Sequence, residues 1–432
     1  MIKVFSNSWA LFLGIGLLMV GNSLQGTLLG VRGNMEEFDP QTMGFVMSAY
    51  FVGFLGGSWM APDLIRRVGY VRVFAALGSL ISAAFIIYAV FVTPLAWALM
   101  RLVVGFGFSG VYVVAESWLN NAATNENRGQ TLSAYMMVQL SGIVIGQAVL
   151  SLADPGGYEL FILMSVVVSI SFAPILLSAS PAPLSDNTER MSLRQLFEAS
   201  PLGCVGSFLL GAVFSSMFGM SAVYAGEIGL GLDQIAVFVS LMYVTALVTQ
   251  YPIGWISDRV DRRKVIALIM IVATLACSAG VFLSPNLIAI YAAAAMLGGM
   301  ANPLYSLLLA HTNDYLPPSK MASASSGLVF INGVGASFGP IVVGYVMGWI
   351  GPDGFFVYNS ILCALIACYA IYRMSQRPAA MPDDTGSLLP LPTRGAVIAE
   401  VAAEIYAAEA EEDVEEDSDD FGDMSTRSDD DD

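Results

Sequence analysis

The sequence predicts an all-α polytopic membrane protein: twelve transmembrane helices in two pseudo-symmetric six-helix bundles, followed by a disordered acidic C-terminal tail. Three observations carry that prediction. Apolar side chains make up 56% of the 432 residues and charged ones only 12%, which is more apolar surface than water-soluble domains can bury. The apolar residues gather in runs of about 20, the length a helix needs to cross a hydrocarbon core of about 30 Å. The chain also repeats itself. Sliding it by 193 positions lays Gly105 on Gly298, Tyr112 on Tyr305, Asn120 on Asn313, Gly142 on Gly335 and Gly146 on Gly339, the signature of duplicated halves.

In chain order the runs lie near residues 9–31, 44–62, 73–93, 95–119, 130–152, 158–179, 203–226, 233–256, 265–284, 286–311, 322–350 and 354–373. The first is too long for a signal-peptide core and no small-x-small cleavage site follows it, so it reads as a retained span. The eleventh is long enough to tilt or to extend past the membrane. Between the sixth and seventh runs stands the polar loop "SPAPLSDNTERMSLRQLFEAS". The expected divisions are therefore an N-terminal bundle over 1–180, a linker over 181–201, a C-terminal bundle over 202–377 and a tail over 378–432.

Basic residues in short loops are retained on the cytoplasmic side. One set of alternate loops holds Arg66, Arg67, Arg72, Arg128, Arg190, Arg194, Arg259, Arg262, Arg263, Lys264, Lys320, Arg373 and Arg377, and the other holds Arg32 alone. Both termini are expected in the cytoplasm and the spans in the cytoplasmic (inner) membrane. The net charge of −17 belongs to the tail: residues 1–377 carry 17 acids and 16 bases, whereas residues 378–432 carry 18 acids against Arg394 and Arg427. Such a segment lacks the apolar surface to pack and is repelled by an anionic leaflet. Within it "GAVIAEVAAEIYAAEAEE" has the spacing of a short helix. The tail serves either as a solvated appendage or as a site for a cytoplasmic partner.

The loop "GWISDRVDRRKVI" between the eighth and ninth runs resembles the signature loop of the major facilitator superfamily, and "RLVVGFGFSG" at 101–110 resembles its fourth-span Arg-Gly motif. Further stretches, "YFVGFLGGSW", "IRRVGYVRVFAA", "VVAESWLNNAATNENRGQTLSAYM" and "QYPIGWISDRVDRR", resemble its YcaD-like branch. The resemblance covers residues 1–377. It implies two bundles that rock about a central solute site, moving a small solute by alternating access, with protons as the coupling ion. It also implies a cytoplasmic gate motif made of Gly254, Asp258, Arg259, Arg262 and Arg263. Asp258 would lie against the start of span 5 near Arg128, and the arginines would face lipid phosphates or acids of neighbouring loops. The first half departs from this pattern, because Arg66, next to Arg67, occupies the place equivalent to Asp258.

An ionisable residue deep in a span is costly and normally turns toward a cavity or partner. Arg101 and Glu116, both on span 4, are such residues. Fifteen positions apart, they share a helix face at a separation of about 22 Å. By resemblance Arg101 serves proton coupling or substrate binding; the alternative is a structural clamp. Glu116 is either a proton carrier or a cap for loop contacts with Arg128. Spans 1, 4, 7 and 10 surround the cavity in this superfamily, which by resemblance adds Gln25, Tyr112, Tyr224, Asn302 and Tyr305 to the solute pathway. Asn22, Gln139, Gln147 and Asn332 are further polar span residues, and amides of this kind also join helices. The set suits a small neutral or singly anionic solute. "GIVIGQ" at 142–147 has Gln where the antiporter signature has Pro, so direction stays open.

Other classes find little footing. The one histidine, His311, lacks a nucleophile partner, and no phosphate-cradling Gly-rich loop is present, so neither an enzyme nor a nucleotide-driven pump is expected. Cys204, Cys277, Cys363 and Cys368 lie inside spans without ligand-like spacing and read as packing residues. No cofactor, metal or nucleic acid is expected; the partners are a small solute, protons and lipid around a monomer. The alternative function is a transport-inactive sensor or scaffold working through the tail.

Overall fold

The computed structural model describes residues 2–122, 128–177 and 191–376, with side chains except at 2–8, 117–122, 128–133, 175–177, 318, 319 and 322. The tail, most of the linker, and the Arg128 and Asn120 side chains lie outside the described residues. Thirteen α-helices fill the rest: α1 Ile2–Met35, α2 Pro40–Val68, α3 Tyr70–Val90, α4 Pro94–Ala122, α5 Arg128–Val149, α6 Glu159–Leu177, α7 Leu193–Ala199, α8 Pro201–Glu227, α9 Leu232–Ser257, α10 Arg262–Phe282, α11 Leu287–Asn313, α12 Pro318–Ile350 and α13 Gly354–Gln376. Eleven are long and apolar enough to cross a membrane over their described residues, and α6, the remaining span, is apolar over Glu159–Pro174. α7 is the linker's short helix, closed at its start by Ser192 and Gln195 capping each other's backbone.

The helices start and stop where polar side chains take up their free backbone groups. Asp39 accepts from the Thr42 N–H at 2.6 Å with Pro40 in the first turn of α2, and Asn286 and Asp261 cap α11 and α10 in the same way. Between α2 and α3 the chain turns on one residue, Gly69, at φ 86°, a conformation open to glycine because it lacks a Cβ. Consecutive spans joined by such short links run antiparallel. Both ends of the membrane domain therefore lie on one face, the termini face; the opposite one is the far face.

The repeat read from the sequence is built from glycines against backbone. A Cβ on Gly105 would overlap the Tyr50 carbonyl oxygen, and one on its repeat mate Gly298 the Met242 carbonyl oxygen, so α4 meets α2 as α11 meets α9. Gly142 and Gly146 of α5 lie on Gly16 and Val20 of α1, while Gly335 and Gly339 of α12 lie on Phe208 and Ala212 of α8.

The bundles meet mainly through α2 with α12 and α1 with α8, joined by α5 with α9. Named contacts concentrate toward the far face. Gly30 abuts Ala222, Gly44 abuts Pro340, Ser48 donates to the Ser337 carbonyl, Asn34 donates to Glu227 at 3.2 Å, and Ser151 donates to Asp233 at 2.7 Å.

Candidate functional site

The sequence candidates fall into separate groups. Arg101 is fully buried one-quarter of the way along α4. Its Nη1 donates to Gln25 Oε1 at 3.0 Å, its Nη2 reaches Met47 Sδ at 2.9 Å, and its guanidinium carbon lies 5.0 Å from the centre of the Tyr50 ring. Gln25 in turn donates to the Tyr88 hydroxyl at 2.9 Å, and Trp97 holds the Tyr88 carbonyl at 3.2 Å. The charge is thus spread over an amide, a thioether and an aromatic face within the N-terminal bundle.

Tyr112 and Glu116 belong to a second group, three and four turns further along α4 toward the termini face. Tyr112 accepts from Asn22 Nδ2 of α1 at 3.2 Å and donates to Met19 Sδ at 3.3 Å. Glu116, 2% exposed, accepts from the Tyr135 hydroxyl of α5 at 3.1 Å. Across the bundle interface, Tyr305 of α11 stands within electrostatic reach of Glu116. Its hydroxyl is fully buried and meets no hydrogen-bonding partner.

Two candidates stand elsewhere. Tyr224 is enclosed in an aromatic cluster of the C-terminal bundle, stacked on Phe355 at 5.1 Å and edge-on to Phe356 at 5.1 Å. Asn302, one turn from Tyr305, spends its Nδ2 on the Gly298 carbonyl at 2.8 Å. The other amides join helices: Gln147 accepts from Thr27 at 2.9 Å, and Asn332 donates to the Ser207 carbonyl at 3.0 Å.

The gate motif closes on itself at the termini face. Asp258 caps the end of α9, and Arg262, at the start of α10, bridges it at 3.5 Å and Asp314 at 2.7 Å. Arg263 pairs with Asp261 at 2.8 Å. Burial pushes the Asp314 carboxyl up, to about 6, against Arg262 and aided by Asp258 and Asp261. At Asp261 burial acts in the same direction, but hydrogen bonds from Arg263 outweigh it and hold the carboxyl below its usual range. Arg262 and Arg263, each 4% exposed, meet acids rather than lipid, Arg262 reaching Asp314 beyond α11 and Arg263 the Asp261 of its own loop; two buried charges this close to acids are stabilised by pairing. Arg259 does lie outside, stacked 4.2 Å over Trp255. Gly254 is buried in the last turn of α9, and Arg66 and Arg67 are exposed at the end of α2. The expected contact of Asp258 with the start of span 5 falls on side chains outside the described residues. Of the cysteines, Cys204, Cys277 and Cys363 are buried and Cys368 is exposed.

Sequence reading missed Tyr88, Tyr50, Met47, Tyr135 and Asp314. Asp314 alone left a signal, an acid at the end of "HTND" where a span stops.

The model of the Major Facilitator Superfamily matches residues 11–242 and 203–401. An uncharacterized MFS-type transporter of Enterobacter sp. (strain 638) is 26% identical over 78% of this chain and 88% of its own. The uncharacterized MFS-type transporter YcaD of Escherichia coli O45:K1 is 25% identical over 77% of this chain and 87% of its own. In structure the chain is similar to a mutant of the nucleoside transporter NupG, with a TM-score of 0.71 at 15% identity over 84% of this chain and 99% of that one. With the repeat, the twin bundles and the gate loop in place, the chain belongs to the major facilitator superfamily, and its likeness to the YcaD proteins extends over three quarters of its length.

Proposed function

We propose that the protein is a secondary active transporter that moves a small solute across the cytoplasmic membrane by alternating access, driven by protons at Glu116, with both termini in the cytoplasm. One observation carries the reading: Glu116 of the first bundle is buried within a span, and Tyr305 of the second lies within its electrostatic reach. A carboxyl in a span needs its charge balanced, and at this seam any change in what balances it acts on the fit between the bundles. Family membership supports the transporter class, and the lopsided distribution of bases supports the orientation. With that orientation the far face is the outer face, and its close contacts make this an outer-closed conformation. The Arg101 group supports a clamp that fixes α1, α2 and α4 together, with Met47 and Tyr50 lying against Gly219 and Phe218 of α8 at the seam.

The test is transport in proteoliposomes of any solute that stabilises the purified protein. An imposed proton gradient should drive accumulation, and a protonophore should abolish it. Glu116→Gln should keep solute exchange yet lose gradient-driven accumulation. A folded, reconstituted protein that binds solutes and moves none of them would leave the sensor or scaffold reading instead.

A further inference from the structure

We propose that the acidic C-terminal tail folds back on its own molecule and docks on the termini face, where exposed bases of both bundles hold its run of carboxylates. Tail and face share one side of the membrane whichever way the chain is oriented, so the contact needs neither the orientation nor the transport activity proposed above.

The point where the chain leaves the helices sets the geometry. α13 ends at Gln376 on the termini face, and the tail, outside the described residues, follows at once in the sequence. Residues 409–423 hold ten acids and no base. Glu409 stands 33 positions beyond Gln376, and a chain of that length spans about 30 Å on average even without regular structure. Helices are about 10 Å across, so this reach covers most of the face.

The face offers the charge that those acids lack. Its own acids are mostly paired: Asp258, Asp261 and Asp314 with Arg262 and Arg263, and Glu198 with Arg194 at 3.0 Å. Arg66 and Arg67 at the end of α2, Arg72 in the first turn of α3, Arg259 and Lys264 on either side of the start of α10, and Lys320 at the start of α12 are all exposed. Against them stands Asp63 as the further acid among the described residues of this surface. The first three bases belong to one bundle and the last three to the other. Like charges on two facing bodies repel, and a polyanion laid across both offsets that repulsion.

Anionic lipid competes for the same bases. It leaves the acids of the tail crowded on one another, however, whereas docking relieves both charges at once. Tethering adds to this, because a segment joined to α13 is present at an effective concentration on the order of millimolar. Single exposed ion pairs are weak and screened by salt, so the contact is a network that tightens and loosens with ionic strength.

The chain holds three lysines, Lys3, Lys264 and Lys320, which makes carbodiimide cross-linking of carboxylates to amines a specific test. Purified full-length protein, mixed as isotopically light and heavy molecules, is cross-linked in neutral detergent at low salt, and the joined peptides are read by mass spectrometry. Residues 409–423 should join to Lys264 or Lys320 within single molecules, with a yield that falls about fivefold or more in about 0.5 M salt. Arg66→Gln, Arg67→Gln and Arg259→Gln combined should lower that yield severalfold at low salt, whereas a tail that only collides with the lysines would ignore both changes. Should this variant fail to fold, the salt dependence decides. The cross-links should persist in bilayers of phosphatidylcholine with about one-third phosphatidylglycerol. Their loss there would assign the bases to lipid, products joining light to heavy molecules alone would assign the tail to a second copy, and no product on either lysine would leave it to an outside partner. Each of these outcomes, or a yield indifferent to salt and to the arginine changes, would overturn the proposal.

Discussion

A hydroxyl buried without a partner costs about 1–3 kcal/mol, and Tyr305 and Tyr224 each carry one. Packing alone favours Phe at both places. Tyr305→Phe should therefore raise the melting temperature of the purified protein. Tyr224→Phe, in its aromatic cluster, should raise it too; loss of stability in both variants would mean the hydroxyls are satisfied. Arg101 behaves in the opposite sense. Arg101→Ala removes the donor from Gln25 and leaves a cavity, so it should cost about 2–4 kcal/mol in thermal unfolding. Lys at the same position should recover only part of this, since it lacks the flat fork that meets Gln25, Met47 and Tyr50 together. Arg101 and Glu116 were legible in the sequence because charge is rare in a span. Their partners were not, since Tyr50, Tyr88, Tyr135 and Met47 read as apolar filler until the helices are placed side by side.

At the scale of elements, the repeat was legible because close backbone approach admits glycine and little else. A Cβ at Gly105 or Gly335 would overlap a carbonyl oxygen of the facing helix, whereas one at Gly56 would meet Phe106 at an ordinary 3.8 Å. Gly105→Ala and Gly335→Ala should each cost about 1–3 kcal/mol or more by forcing α4 from α2 or α12 from α8, while Gly56→Ala should leave the melting temperature within a degree or two. The gate loop was legible as a motif, but its closure on Asp314 was not, because α11 is separated from it by the whole of α10. The raised Asp314 carboxyl gives the loop a pH dependence. With a folded value of about 6 above an ordinary 3.8, the folded state holds this proton more tightly than the unfolded chain does. Its contribution is complete below about pH 4 and is lost as pH rises through about 6, amounting to at most about 3 kcal/mol. Melting temperatures followed from pH 4 to 7.5 should fall across that window in the parent and fall less in Asp314→Asn; parallel curves would mean Arg262 fully compensates the charge.

Over the whole molecule, the sequence made twelve spans legible through run length, and the placement of bases supports the proposed orientation, but it held no sign of which face is closed. That depends on how α1, α2 and α5 meet α8, α12 and α9, and small residues permit those contacts without announcing them. The far-face seam offers a direct test of the cycle. Asn34 at the end of α1 and Glu227 at the end of α8 are hydrogen-bonded at 3.2 Å, one turn beyond the Gly30–Ala222 approach. In a background with Cys204, Cys277, Cys363 and Cys368 replaced, cysteines at 34 and 227 should form a disulfide under mild oxidation, since side chains this close need little backbone movement. If the bundles must part here for solute to enter from outside, oxidation should stop transport and a reductant should restore it. A thiol reagent applied from outside should label a single cysteine at 227 only in molecules that have opened, so added solute should change the labelling rate. Full transport by the cross-linked protein would mean that the far-face seam stays shut throughout and that the bundles do not alternate about it.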